Sequence, residues 1–325
     1  MESFIPPFDS HTVFIAPWTE QFAIFGWIGL MGFLVTLACG LIGNYLVLRR
    51  MALVGDAISH SVLPGIAIAF LIAHSRDNLI MFIGAIVAGV VTTLLIEVIH
   101  QRSRVKQDAA IGIVFSTLFA IGVILISMFA GQIDLDADCV LYGEITNVAL
   151  EPRVVLFGMD TAPGPVLLMG AVTLLVVGLI VTFYKELLVS SFDPGLAASL
   201  GIRPSLVHYA LMSVLSMVVV SAFQSVGAIL VVAMLILPGA TAYLLTGRLV
   251  VMLLLSVVHA ALSTVLGMHL GLLLDCSFAA AMVVAGGLLF VLAWIFSPTQ
   301  GLLLRIIRRG PIFRLDQSNT SAASA

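Results

Sequence analysis

Charged residues are scarce in this sequence. They make up 10% of its 325 residues, whereas 61% of the residues are hydrophobic and the mean hydropathy is +1.19. A chain of this length with so little charge is too apolar to be a soluble domain. The composition therefore indicates an integral membrane protein.

Cysteine and lysine are also rare, and several catalytic motifs are missing. The three cysteines lie far apart and form no Cys-x-x-Cys pair, which argues against a disulfide framework and a thiolate metal cluster. Neither of the two lysines, Lys106 and Lys185, follows a glycine, so the chain lacks the phosphate-binding loop of ATPases. Zincin and serine-hydrolase motifs are missing as well. We expect no enzymatic activity in this chain, so any active transport would need a separate ATPase.

Long apolar runs, in contrast, are abundant. They are continuous and long enough to cross about 30 Å of hydrocarbon as helices, whereas the strands of a membrane barrel would show short alternating patterns. We therefore predict an all-α, polytopic bundle of 8–9 transmembrane helices. The runs cover residues 22–48, 54–73, 79–99, 109–130, 165–184, 205–222, 225–246, 249–272 and 277–297.

Lysine and arginine predict the orientation. With a cytoplasmic C-terminus, 12 of the 14 basic residues fall on the inside, and only Arg76 and Arg153 fall outside. The N-terminus and the acidic loop 131–164 are then outside. We expect an interfacial, extracytoplasmic segment at 1–21, a transmembrane permease domain at 22–309 and a disordered cytoplasmic tail at 310–325.

The stretch GDAISHSVLPG, residues 55–65, contains the strongest candidate site. Asp56 precedes His60 by four residues, so a helix places both side chains on one face, one turn apart. Counted from Arg50 at the inner face, His60 lies about 15 Å deep, near mid-membrane, where transporters keep their sites. Gly55 and Gly65 would let another helix approach closely.

A carboxylate at this depth needs a partner. It costs about 2.5–3.5 kcal/mol on insertion scales, and an imidazole with a divalent cation would offset that cost. Asp56 is interpreted as the only carboxylate inside an apolar run, and Asp56 and His60 as metal ligands of a membrane importer. The alternative is a buried pair with a purely structural role.

Three other places hold possible ligands, each with a simpler interpretation. His259 lies near mid-membrane without strong ligands around it, as a satisfied core histidine would. His269 and Asp275 flank the outer end of the same run, where a solvated rim is expected. The aspartates within 134–138 resemble part of a calcium loop, but the later glycine and bidentate glutamate are missing.

A cytoplasmic segment, residues 185–204, predicts a short capped helix. Asp193 is suited to the N-cap, Pro194 to the first helical position, and Gly201 to the position just beyond the end. The resulting helix has fewer than two turns and lies between two membrane runs.

The short helix would carry an apolar surface. Leu196 and Leu200 share one face, and Phe192 stands at the entrance. We predict that this surface docks a cytoplasmic partner; the alternative is that it lies on the lipid surface.

With these features the chain resembles the permease subunits of ABC importers for manganese, zinc and iron, a family related in fold to vitamin B12 and siderophore permeases. Four stretches support the resemblance, and their order and spacing fit as well. They are RRMALVGDAISHSVLPGIAIAF at 49–70, DAAIGIVFSTLFAIGVILIS at 108–127, SFDPGLAASLGI at 191–202 and VGAILVVAMLILPGATAYLL at 226–245.

The resemblance implies a type II ABC importer permease in the bacterial cytoplasmic membrane. It implies that Asp56 and His60 line the translocation path and coordinate the metal, and that Phe192–Gly201 forms a coupling helix in a groove of the ATP-binding subunit. It also implies a second permease subunit, identical or a sister chain, and a metal-binding lipoprotein or periplasmic protein. Membrane lipid surrounds the complex, and neither a nucleic-acid partner nor a permanently bound cofactor is expected, since the metal is cargo and the partner uses ATP.

The expected function is thus translocation of a divalent metal, manganese before zinc or iron. Oxygen and nitrogen ligands without thiolate suit all three ions, and the order of affinities does not fix the cargo. Two alternatives stay open: a proton-coupled secondary transporter with Asp56 and His60 as the relay, and a membrane scaffold without transport.

Overall fold

The computed structural model describes residues 11–51, 53–73, 78–129, 145–156, 159–298 and 301. Helices dominate these ranges, as the apolar runs predict. The α-helices are α1 (Phe22–Leu48), α2 (Val54–Ala73), α3 (Asn78–Arg102), α4 (Gln107–Phe129), α5 (Gly164–Thr182), α6 (Tyr184–Phe192), α7 (Pro194–Ser199), α8 (Pro204–Leu245), α9 (Leu249–Leu274) and α10 (Phe278–Phe296).

The membrane-spanning helices agree with the predicted runs. Eight helices of the described part are long and apolar enough to cross a bilayer. A shorter apolar helix, Ile229–Leu245, forms the second part of α8. Their backbone groups are hydrogen-bonded within the helices, which hydrocarbon requires because it offers no other partner. The expected all-α polytopic bundle is confirmed.

Helix α8 is broken at Gly227, whose φ of 75° and ψ of 170° are not helical. Leu211, before the break, lines one cavity together with Ile42 of α1. Gly239, after the break, lies against Asn44, only two residues further along α1. One continuous helix would place Leu211 and Gly239 about 40 Å apart. The chain therefore turns back at Gly227, and the two consecutive runs predicted here are two separate segments.

Replacing Gly227 with alanine is expected to destabilise the protein. The backbone at this position lies in a region essentially restricted to glycine, and a side chain there costs about 1–3 kcal/mol. The thermal midpoint of the detergent-solubilised protein should fall. Gly287→Ala is the matched control, because a Cβ there meets open space inside a helix, and it should not lower the midpoint. Equal midpoints for the two variants would contradict a backbone role for Gly227.

Small residues let the helices around α2 pack closely. Gly65 lies against the backbone of Gly84 in α3, so a Cβ at either position would overlap the other helix. Gly122 of α4 lies against Leu63 and Pro64 in the same way, 2.9 Å from each for an added Cβ. Close approach through small residues is typical of helix packing in membranes. These contacts hold α2 between α3 and α4.

The segments outside the long helices are short. His11–Ile15 forms a π-helical turn and Ala16–Trp18 a 3₁₀ turn before α1. In the loop before α5, Arg153–Leu156 (β1) pairs antiparallel with Met159–Pro163 (β2), a hairpin that the sequence did not predict. The tail predicted at 310–325 lies outside the described residues. The predicted domain boundaries stay predictions.

Candidate metal centre and docking surface

A tight turn after α1 sets the position of the candidate metal ligands. Arg50 has a left-handed backbone with φ of 59°, and the Met51 N–H donates to the Leu46 carbonyl at 2.9 Å. This pattern ends α1 in the manner of a Schellman turn. Met51 is buried, so the chain returns into the bundle before α2 begins at Val54.

The start of α2 lies well inside the bundle. A Cβ at Gly43 of α1 would overlap the Leu235 backbone, and one at Gly55 would overlap the Leu235 side chain. Gly55 is therefore near the level of Gly43, about 8 Å inside the end of α1 at 1.5 Å per residue. His60, five residues further along α2, lies roughly 15 Å from that end, which agrees with the depth expected from the sequence.

Asp56 and His60 share one face of α2, as predicted. Asp56 Oδ1 lies 3.5 Å from His60 Nε2. Asp56 is in the first turn of the helix, where the unpaired N–H groups favour negative charge. The His60 ring also packs beside Phe115 and Phe119 of α4, at centroid distances of 5.4 and 5.9 Å. The aromatic rings restrict the imidazole on one side and leave the side nearest Asp56 available.

The pair is accessible and lacks further ligands of its own. The side chains of His60 and Asp56 are 32% and 43% exposed. Within the described ranges, no group of three or more His, Cys, Asp or Glu side chains is placed to hold a metal ion. A charged carboxylate facing lipid is too costly, so protein or water must cover this face in the membrane. The chain thus presents one carboxylate and one imidazole on a surface that protein or water has to cover.

The other candidate ligands are engaged in packing. His259 is buried in α9, and its Nε2 lies 3.3 Å from the Gly286 carbonyl, to which it donates as the Nε2 tautomer. His269 Nδ1 donates to the Val13 carbonyl at 2.9 Å, and Trp18 Nε1 donates to His269 Nε2 at 3.3 Å. These contacts fix α10 and the N-terminal segment to α9. The aspartates within 134–138 lie outside the described residues.

One histidine–carboxylate contact within the membrane helices was missed by the sequence interpretation. Glu97 lies within α3, so the statement that Asp56 is the only carboxylate inside an apolar run is wrong. Glu97 Oε2 lies 3.2 Å from His208 Nε2 of α8, and both side chains are largely buried. Gln101 Nε2 donates to Glu97 Oε1. Both carboxylate oxygens thus have partners, which is typical of a structural pair.

The short helix α7 is capped as the sequence predicts. Asp193 Oδ1 accepts a hydrogen bond from the Leu196 N–H at 2.9 Å, and Pro194 is the first helical residue. Gly201, with φ of 82°, lies just beyond the helix end. The preceding helix α6 was not predicted, and Asp193 therefore both ends α6 and begins α7.

The apolar residues of this segment are exposed. Phe192, Leu196 and Leu200 are 54%, 50% and 62% exposed, whereas Ala197 is buried against the bundle. Helix α7 lies on the same side of the bundle as the C-terminal end of α1. Arg49, at that end, contacts Ser190 in the last turn of α6, and α7 follows α6 directly. We define Phe192, Leu196 and Leu200 as the docking surface.

The bundle of apolar helices, with a histidine–carboxylate pair on one face of α2 and a capped helix on one side, defines the chain as a polytopic membrane permease. The chain belongs to the ABC 3 transport family, whose pattern matches residues 21–297. As a member it is a multi-pass membrane component of an ABC transport system.

Two relatives and one solved structure illustrate the match. The manganese transport system membrane protein MntD of Bacillus subtilis is 46% identical over 282 residues, which are 87% of this chain and 95% of that protein. The zinc transport system membrane protein TroD of Treponema pallidum is 42% identical over 278 residues, 86% of this chain and 75% of that protein. The structure of PsaBC from Streptococcus pneumoniae in complex with Fab has a TM-score of 0.72 and 34% identity, and covers 89% of this chain and 96% of that chain. The expected fold of an ABC importer permease is confirmed.

Proposed function

We propose that this chain is the membrane path of an ATP-driven importer for a divalent transition metal, with manganese as first choice and zinc second. The accessible Asp56–His60 pair on the face of α2, near mid-membrane, supports this most directly, because a carboxylate oxygen and an imidazole nitrogen are ligands that both ions accept. The relatives from Bacillus subtilis and Treponema pallidum are named for manganese and zinc transport. Iron has no such support and stays a prediction from the resemblance.

The metal is held between two permease subunits. One chain supplies two ligands, whereas zinc takes four and manganese prefers a larger set that includes oxygen. A second subunit packed against the face of α2 and α4 would add another Asp56 and His60, or their equivalents in a sister chain. It would also remove the exposed carboxylate from lipid.

Transport proceeds by alternating access. A binding protein delivers the ion to the outer face, and the paired ligands hold it briefly near mid-membrane. The docking surface of α7 sits on a cytoplasmic ATP-binding subunit, which supplies the phosphate loop that this chain lacks. ATP binding there draws the two α7 helices together and opens the inner end. This requires the orientation predicted from the basic residues, with the N-terminus outside.

Vesicle uptake tests the proposal. Vesicles containing this chain, its second permease and the ATP-binding subunit, supplied with the metal-binding protein on the outer side, should accumulate manganese only when ATP is supplied, also after the proton gradient has been collapsed. Added zinc or iron should lower manganese uptake to the extent that the importer also transports that metal. Uptake that follows the proton gradient and ignores ATP would establish the secondary transporter instead. The absence of uptake of all three metals would remove the importer function.

A further inference from the structure

Arg49 connects the helix before the docking surface to the end of α1. Its Nη2 donates to Ser190 Oγ at 2.9 Å, and its Nε donates to Ser191 Oγ at 3.2 Å. Both serines belong to the last turn of α6, which passes directly through Asp193 into α7. The guanidinium is a planar fork, so two donors engaging two adjacent hydroxyls define its orientation as well as its position.

The first of these serines, Ser190, is itself held in place. Ser190 is buried, and its hydroxyl donates back to the Leu187 carbonyl at 3.3 Å while accepting from Arg49. The Arg49 side chain is partly buried between α1 and α6. A displacement of α6 therefore acts on Arg49 through two oriented, partly buried hydrogen bonds.

The backbone of Arg49 leads by a short route to the candidate metal ligands. The Arg49 N–H donates to the Tyr45 carbonyl at 3.0 Å and fixes Arg49 to the last turn of α1. In the turn that follows, the Met51 N–H donates to the Leu46 carbonyl. The Val54 N–H in turn donates to the Met51 carbonyl at 3.2 Å. Only four positions separate Arg49 from Val54, the first residue of α2, which carries Asp56 in its first turn.

We propose that Arg49 is a positioning residue that transmits movement of α7 to the Asp56–His60 pair. When the ATP-binding subunit shifts α7, α6 moves with it, and Arg49 carries that shift into the turn that places the start of α2. The inference rests on the proposed importer function, because only a driven transporter needs to link these two places. Nothing in it requires Arg49 to touch the metal.

The test is the amount of metal transported per ATP hydrolysed, measured with the complete complex in vesicles. Arg49→Ala should lower this ratio by about tenfold, the effect expected from losing a charged hydrogen-bonded contact. ATP hydrolysis should persist, and manganese should bind the complex with unchanged affinity. Ser190→Ala combined with Ser191→Ala should lower the ratio in the same direction, and adding both to Arg49→Ala should cause no further loss. Lys185→Ala, which removes an exposed cation from the same helix, should leave the ratio unchanged.

The outcomes separate the possibilities. An unchanged ratio in Arg49→Ala, or losses that add in the triple variant, would overturn the inference. Equal decreases in hydrolysis and uptake would show a merely structural role and would overturn it too. If Arg49→Ala does not assemble, the double serine variant decides by the same criteria, since it keeps the arginine. A wild-type complex that moves no metal would instead refute the proposed function.

Discussion

Replacing Asp56 with asparagine, or His60 with alanine, is expected to abolish metal uptake while the protein still inserts and folds. Each substitution removes two of the four ligands in a pair of identical chains, and one of the four where the second permease is a sister chain. The asparagine also removes the negative charges that balance the cation. Loss of affinity should exceed the roughly 10- to 100-fold caused by changing residues that only support ligands. Manganese binding to the purified complex and uptake into vesicles both measure the effect.

The chain contains a suitable control for this pair. His11 Nε2 and Glu20 Oε1 form another His–carboxylate contact at 3.9 Å, exposed and outside the spans. His11→Ala and Glu20→Gln should therefore keep uptake. Helical content and the thermal midpoint should match the parent in all four variants. Normal uptake by both Asp56→Asn and His60→Ala would remove the site and, with it, the assignment of a metal as cargo.

Local spacing explains why half of this site was predictable. Asp56 and His60 are one turn apart on a single helix, so sequence alone places them on one face. Phe115 and Phe119 reach the same imidazole from α4. Their positions in an apolar run look like ordinary lipid-facing aromatics, because only tertiary packing brings α4 against α2. No spacing rule would have identified them.

The Glu97–His208 pair shows a different limit. The glutamate lay inside a predicted run and carried a signal that the sequence interpretation overlooked. Its partner is 111 positions away on another helix, at 3.2 Å, so the pairing itself was not predictable. The break at Gly227 was predictable in part. Two runs were predicted there, but the glycine backbone that reverses the chain only becomes evident from its φ and ψ.

The short helix α7 was predictable because its caps are local. The nine positions from Asp193 to Gly201 contain an N-cap, an initial proline and a terminal glycine, and all three signals predict the same helix. The contact of Arg49 with this segment was not predictable from the sequence, because the serines that Arg49 contacts lie 141 and 142 positions away. The role of the surface as a docking site stays a prediction, which the following variant tests.

Combining Asp193→Ala with Leu196→Glu is expected to uncouple ATP hydrolysis from transport. A helix of six residues has too few internal hydrogen bonds to be stable by itself, so losing the Asp193 cap, worth about 1 kcal/mol, matters more here than in a long helix. The glutamate places a charge in the middle of an apolar contact, where burial without a partner is costly. Uptake should be lost while the ATP-binding subunit still hydrolyses ATP.

Metal binding distinguishes this variant from those at the ligands. The Asp56–His60 pair lies on α2 and contains neither substituted residue, so the purified double variant should bind manganese as the parent does, although it no longer transports the ion. Leu150→Glu is the matched control, because Leu150 is 75% exposed and lies in the loop before β1, away from α7. It should keep uptake and its dependence on ATP. Unchanged coupling in the double variant would mean that the exposed face of α7 rests on lipid, and the force of ATP binding would then have to enter the permease elsewhere.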